Sequence, residues 1–168
     1  MKRSIQIILV MCLCFVIKAQ AQITIMDTFS NKIKRLSLKE REELDKLLFG
    51  PISRMQLNET GKPTFLWAEE GSVKGVELTN DLTNQLKDTN FSTQLKYVEV
   101  ISIKWEKDKN LILNEDHLNQ LKSLKYILIK SYDSVNIDQL KELFKDLIST
   151  KGISTKIEIV YFEMELPS

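Results

Sequence analysis

Few side chains in this sequence could carry chemistry. The one imidazole, His117, follows Glu115 and Asp116, and the two thiols, Cys12 and Cys14, lie in an apolar run close to the amino terminus. A structural zinc site needs four nitrogen or sulfur ligands, and a catalytic one needs three. With both thiols in a run that cleavage is expected to remove, one imidazole is left and a metal site is poorly supplied, so none is expected, and His117 is expected to be a surface residue in the first turn of a helix. No Gly-x-Ser-x-Gly, Walker or dinucleotide-binding glycine pattern is present, so no cofactor is expected. Paired carboxylates remain at Glu69 with Glu70 and at Glu163 with Glu165; a glycosidase would need two such groups about 5 to 9.5 Å apart across a substrate. With so little to work with, the chain reads as a non-catalytic binding or interaction module, the alternative being a small exported hydrolase that uses paired carboxylates.

The front of the chain carries its own signal. Lys2 and Arg3 precede an apolar run from Ile5 to Ile17, and Ala19-Gln20-Ala21 places small residues where a signal peptidase reads them. Cleavage after Ala21 is expected, with the product secreted or periplasmic. A run of 13 residues falls short of the roughly 20 needed to span a bilayer. Cleavage would remove both cysteines, leaving a chain held without disulfides, and its ~147 residues are enough to bury a core. It would also take Lys2, Arg3 and Lys18, turning 24 basic against 23 acidic groups into 21 against 23. A balance near −2 argues against nucleic acid and anionic membrane as partners and leaves a protein or peptide.

Three segments follow: a signal peptide over 1–21, an amino-terminal stretch with one helix over 22–62, and an α/β region over 63–168. Ser37-x-x-Glu40 is a capping box, and Leu38, Leu44, Leu47 and Leu48 recur at helical spacing before Gly50-Pro51, predicting a helix over 38–49. Residues 52–62 read as a connector. Thr64 to Ala68 and Ser72 to Leu78, joined by Glu70-Gly71, read as a hairpin. Beyond it the pattern predicts a helical turn over 81–87, strands over 97–105, 126–130 and 156–165, and helices over 115–124 and 137–149. That alternation means parallel strands joined by crossovers.

One phrase, L-x-x-φ-x-φ with φ aliphatic, recurs as Val73-x-x-Val76-x-Leu78, Leu95-x-x-Val98-x-Val100 and Leu124-x-x-Ile127-x-Ile129, with Ile157 and Ile159 in a fourth place. The phrases resemble the strand consensus of leucine-rich repeats, whose length range their spacings of 22, 29 and 30 residues approach. The resemblance covers about 64–165. It implies a short βα array with a mostly parallel sheet, opened by an amino-terminal helix and a Trp67-bearing capping hairpin. The consensus Asn after the strand is approximated only by Asn80. The alternative architecture is a compact two- or three-layer α/β domain.

Period-two alternation sends Val76, Leu78, Val98, Val100, Ile127, Ile129, Ile157 and Ile159 to one face. The opposite face then presents Tyr97 beside Tyr126, Glu99 beside Leu128, and Ile101 beside Lys130, with Glu158 on the last strand. Those seven residues form the expected binding surface. Helix 38–49 and the residues before it are the element that would otherwise cover it, because large bare apolar patches are uncommon on monomers.

Overall fold

A computed structural model describes residues 23–149 and 156–165. The expected cleavage after Ala21 and both cysteines lie outside the described residues, as do Gly152 and Ser154. Among the described residues seven strands form one sheet: β1 (Ile23–Thr28), β2 (Arg54–Gln56), β3 (Thr64–Leu66), β4 (Gly75–Thr79), β5 (Val100–Lys104), β6 (Tyr126–Ser131) and β7 (Ile157–Glu163). The spatial order is β1-β7-β6-β5-β4-β2-β3, and every pair is parallel except β2 with β3. The helices are α1 (Phe29–Ile33), α2 (Leu38–Phe49), α3 (Ser92–Leu95), α4 (Glu115–Leu118), α5 (Ile137–Leu143) and α6 (Lys145–Ser149), with a 3-10 helix over Asn80–Lys87. The chain is thus α/β with a mostly parallel sheet. Among the described residues no helix is long and apolar enough to cross a membrane.

The connections from β4 to β7 all lie on one face. Leu86 and Leu95 from the first, Leu113, Leu118, Leu121 and Leu124 from the second, and Leu140, Phe144 and Leu147 from the third pack on Val76, Leu78, Ile101, Ile103, Ile127, Ile129, Ile157, Ile159 and Tyr161. α1 and α2 take the other face, because the chain must cross from β1 at one side of the sheet to β2 near the other. The capping box forms as expected, with the Glu40 amide donating to Ser37 Oγ and the Ser37 amide donating to Glu40 Oε2. At the far end Gly50 is required by close approach, since a Cβ there would sit 2.7 Å from the Lys46 carbonyl oxygen.

Each inner strand begins the same way. Ser53 O accepts from both Lys74 and Gly75 amides, Lys74 O from Glu99 and Val100, and Glu99 O from Lys125 and Tyr126. Two successive donors to one acceptor insert an extra residue, as in a β-bulge, so positions one, four and six of the phrase all face the core. This corrects the register expected for β5. The phrase aligned with its neighbours is Val98-x-x-Ile101-x-Ile103, and Val100 pairs with Tyr126, Ser102 with Leu128 and Lys104 with Lys130. Asn80 is fully buried after β4; its Nδ2 donates to the carbonyls of Glu106 and Lys109, and its Oδ1 accepts from the Glu106 amide at 3.1 Å.

Three other expectations change. The hairpin joins β2 to β3, with Met55 opposite Phe65, so residues 52–62 hold a strand and a turn rather than a bare connector. β4 instead lies parallel to β2. The helix over 115–124 stops at Leu118; Leu121 and Leu124 are carried by turns in which each amide reaches back three residues. Leu38 stays exposed, and α2 buries only Leu44 and Leu48.

Candidate functional site

On the sheet face away from the main core the register sets out three rows: Gly75, Val100, Tyr126 and Glu158; Glu77, Ser102, Leu128 and Val160; Thr79, Lys104, Lys130 and Phe162. α2 lies over these rows, resting Leu44 and Leu48 on Val100, Leu128 and Val160. Its last residue, Phe49, meets Phe29 and Phe162 at ring-centroid distances of 5.0 and 4.8 Å, which closes the helix onto β7. Two depressions remain open, one against α2 and one lined by no residue of the helix.

The first, about 450 Å³, lies at the amino ends of β5 and β6 between α2 and the residues Lys74, Glu99, Lys125 and Tyr126. Glu99 accepts from Lys74 Nζ at 2.7 Å and Lys125 Nζ at 2.6 Å. Burial pushes its carboxyl up, but the two ammonium groups outweigh burial and hold it below the usual carboxylate range. Beside it, burial and then Glu158 push the Tyr126 hydroxyl up. Glu158 is engaged by the buried Lys32 at 2.5 Å and by Lys156 at 2.8 Å. Burial works against its charge too, and the same lysines bring it net below the ordinary value.

The second depression, about 300 Å³, opens at the carboxyl ends of β2, β4, β5 and β6; Glu77, Ser102, Lys104, Lys130, Tyr132 and Met164 line it. Glu77 Oε1 lies 3.5 Å from Lys130 Nζ and 3.6 Å from Arg54 Nη1. Arg54, 2% exposed, donates from Nη2 to the Leu47 and Leu48 carbonyls at 3.0 Å each, so a cation meets the negative end of α2. Burial pulls its guanidinium below the ordinary value, and Glu77 opposes the pull. Gly75 makes room for the guanidinium: a Cβ there would stand 3.1 Å from Nη1 and 3.2 Å from Cγ. Ser102 is fully buried, and its Oγ has no hydrogen-bond partner among the described residues.

The seven residues expected at the binding surface are thereby divided. Glu99 and Tyr126 line the first depression and Lys130 the second. Glu158 is drawn into its lysine pairs. Tyr97 precedes β5, is 44% exposed, and lies under Lys96 Nζ at 4.6 Å. Two do not reach a surface: Leu128 is sealed beneath α2, and Ile101 faces the main core because of the bulge before β5. Alternation with Val76 and Leu78 already puts Glu77 on the face away from the main core, outside the seven residues of the expected surface; sequence reasoning missed Ser102, Lys104 and Arg54. A polar residue between Ile101 and Ile103 in an otherwise aliphatic strand was the available signal.

His117 is buried rather than superficial. Its Nδ1 lies 2.6 Å from Asn114 Oδ1 and 3.2 Å from the Asn114 amide nitrogen, and Nε2 sits 3.2 Å from Asn84 Oδ1, tying α4 to the 3-10 helix before it. Burial and then Lys87 pull the ring below its ordinary value, with Asp116 opposing. The unfolded chain, whose histidine titrates near ~6.5, therefore takes up the proton first as pH falls. Stability should be fully present above that pH and should decline as pH drops through it toward the folded value. Urea midpoints at pH 7.5 and pH 5.5 are expected to show the loss, and His117→Gln should flatten it. An unchanged slope in the variant would place the proton uptake elsewhere.

The carboxylate pairs lie outside both depressions. Glu69 and Glu70 are exposed on a 3-10 turn after β3 at one edge of the sheet, whereas Glu163 ends β7 near the other. Among the described residues no group of three or more His, Cys, Asp or Glu is placed to hold a metal ion. Comparison with protein-family models, with curated proteins and with solved structures found no match. What fold and site together define is a mostly parallel α/β chain whose second sheet face is partly covered by α1 and α2.

Proposed function

We propose that the protein is an exported, non-catalytic interaction module that receives a protein or peptide partner on the part of the sheet face α2 leaves uncovered. One observation carries the reading. Glu77 and Ser102 from one row and Lys104 and Lys130 from the next lie on the same face as the sealed Val100, Leu128 and Val160, yet they line a depression at the carboxyl ends of parallel strands, the end where open α/β sheets take their ligands. A short leucine-rich-repeat-like array belongs to the same proposal. Its support is the repeated bulge at Lys74, Glu99 and Lys125, and the buried Asn80 side chain reaching into the next turn of chain. The alternative, a small exported hydrolase using paired carboxylates, draws less support from this geometry, since Glu69, Glu70, Glu163 and Glu165 line neither depression.

The test uses the chain recovered from outside the cell, whose first residue is expected to be Gln22. Peptides selected on it from a random display library are exposed to variants carrying a photo-crosslinking residue at Tyr132 or, as control, at Asp138 on α5. Crosslinks from position 132 alone are expected. No selectable peptide, or crosslinks only from 138, would refute the assignment.

A further inference from the structure

Resting on the interaction-module reading, we infer that the depression at the carboxyl ends of β4, β5 and β6 takes a carboxylate of an acidic peptide segment, seated between Lys104 and Lys130 and hydrogen-bonded by Ser102. Three observations converge there. Lys104 and Lys130 are direct cross-strand partners, an arrangement in which like charges destabilise a sheet, and an anion between them removes the repulsion. Their present partners are loose: Lys104 Nζ lies 3.7 Å from Glu106, and Lys130 Nζ lies 3.5 Å from a Glu77 carboxylate shared with Arg54. Three cations, Lys104, Lys130 and Arg54, therefore face two carboxylates, Glu77 and Glu106.

Ser102 supplies the second point. A buried hydroxyl normally finds a partner; Ser102 lines the depression, and its buried Oγ has none among the described residues. A carboxylate there accepts the Ser102 proton in a hydrogen bond while its charge meets both ammonium groups. Tyr132 at the rim, 47% exposed, gives the flanking peptide an aromatic surface. Glu77 and Glu106 keep the local field modest, which suits a single carboxylate and disfavours a polyanion such as nucleic acid.

Fluorescence anisotropy with the chain from Gln22 provides the test. The probes are a carboxyl-amidated fluorescein nonapeptide with three central glutamates, its glutamine and lysine counterparts, and the glutamine peptide with a free carboxyl terminus. The glutamate peptide should bind about tenfold or more tighter than its amidated glutamine counterpart, and tighter still at low salt. Lys104→Gln with Lys130→Gln should abolish the difference. Ser102→Ala should weaken glutamate binding several-fold while leaving the melting temperature unchanged or raised, because it removes an unpartnered buried hydroxyl. If the free-terminus glutamine peptide alone binds tightly, the carboxylate comes from the chain end rather than a side chain, and the acidic-segment assignment falls. Equal binding of the glutamate and glutamine peptides, insensitivity to the lysine changes, or tighter binding of single-stranded oligonucleotide would overturn it. Display-selected peptides that crosslink from position 132 but lack acidic residues would sink this inference and leave the module reading standing.

Discussion

A chain beginning at Pro63 should fail to fold, although the sequence places the repeat phrases entirely after that point. The truncation removes β1, α1, α2 and β2. β2 is an internal strand, hydrogen-bonded to β3 on one side and β4 on the other, so its loss strips β4 and leaves β3 without a partner. Met55 and Leu57 leave the main core, Leu44 and Leu48 leave the second, and Val100, Leu128 and Val160 are uncovered. At about 1.5 to 3 kcal/mol for each buried aliphatic side chain, the loss is on the order of 10 kcal/mol. That is comparable to the whole stability of an ordinary domain, about 5 to 15 kcal/mol. Gel filtration and near-ultraviolet circular dichroism should show aggregate or an unstructured chain, while the chain from Gln22 remains a folded species with a cooperative melt. A soluble, cooperatively unfolding product from Pro63 would mean that α2 and β2 are accessory to the sheet.

What the sequence disclosed follows from how much of each signal is local. The capping box at Ser37 and Glu40 satisfies backbone amides within one turn, so it was legible without any tertiary information. The aliphatic phrases at Val73 and Leu124 were legible because bulge and strand together fix the one, four, six spacing. At β5 the same spacing fits twice, as Leu95-x-x-Val98 and as Val98-x-x-Ile101, and only pairing with Tyr126 and Ile127 on β6 selects the second. That ambiguity placed Ile101 on the wrong face and hid Ser102. β2 is three residues long, too short for a period to register, so the hairpin was assigned to the next pair of extended segments. Leu118, Leu121 and Leu124 were read as one α-helix, but steps of three residues match the tighter 3-10 period rather than 3.6, and the chain there runs in successive turns. His117 gave no hint of burial because its partner Asn84 is 33 residues away.

Arg54→Met should destabilise the fold by about 3 kcal/mol, more than loss of an ion pair alone would predict. The guanidinium joins two elements: it donates to the Leu47 and Leu48 carbonyls at the negative end of α2, and it stands at ion-pair distance from Glu77 on β4. Removing one partner from a buried charged network costs about 3 to 5 kcal/mol. The low end applies because Glu77 is a quarter exposed and keeps Lys130. The two halves separate experimentally. Glu77→Gln alone should cost under about 1 kcal/mol, the range of partly exposed pairs, if the helix carbonyls are the main customers of the guanidinium. Arg54→Lys should recover only part of the loss, since an ammonium lacks the planar fork that serves carbonyls and carboxylate at once. Gly75→Ala should reproduce part of it from the other side, because its Cβ must push against Arg54 Cγ and Nη1. Urea unfolding of the four variants measures each term. Equal losses for Arg54→Met and Glu77→Gln would show that the ion pair, rather than the end of α2, is what Arg54 secures.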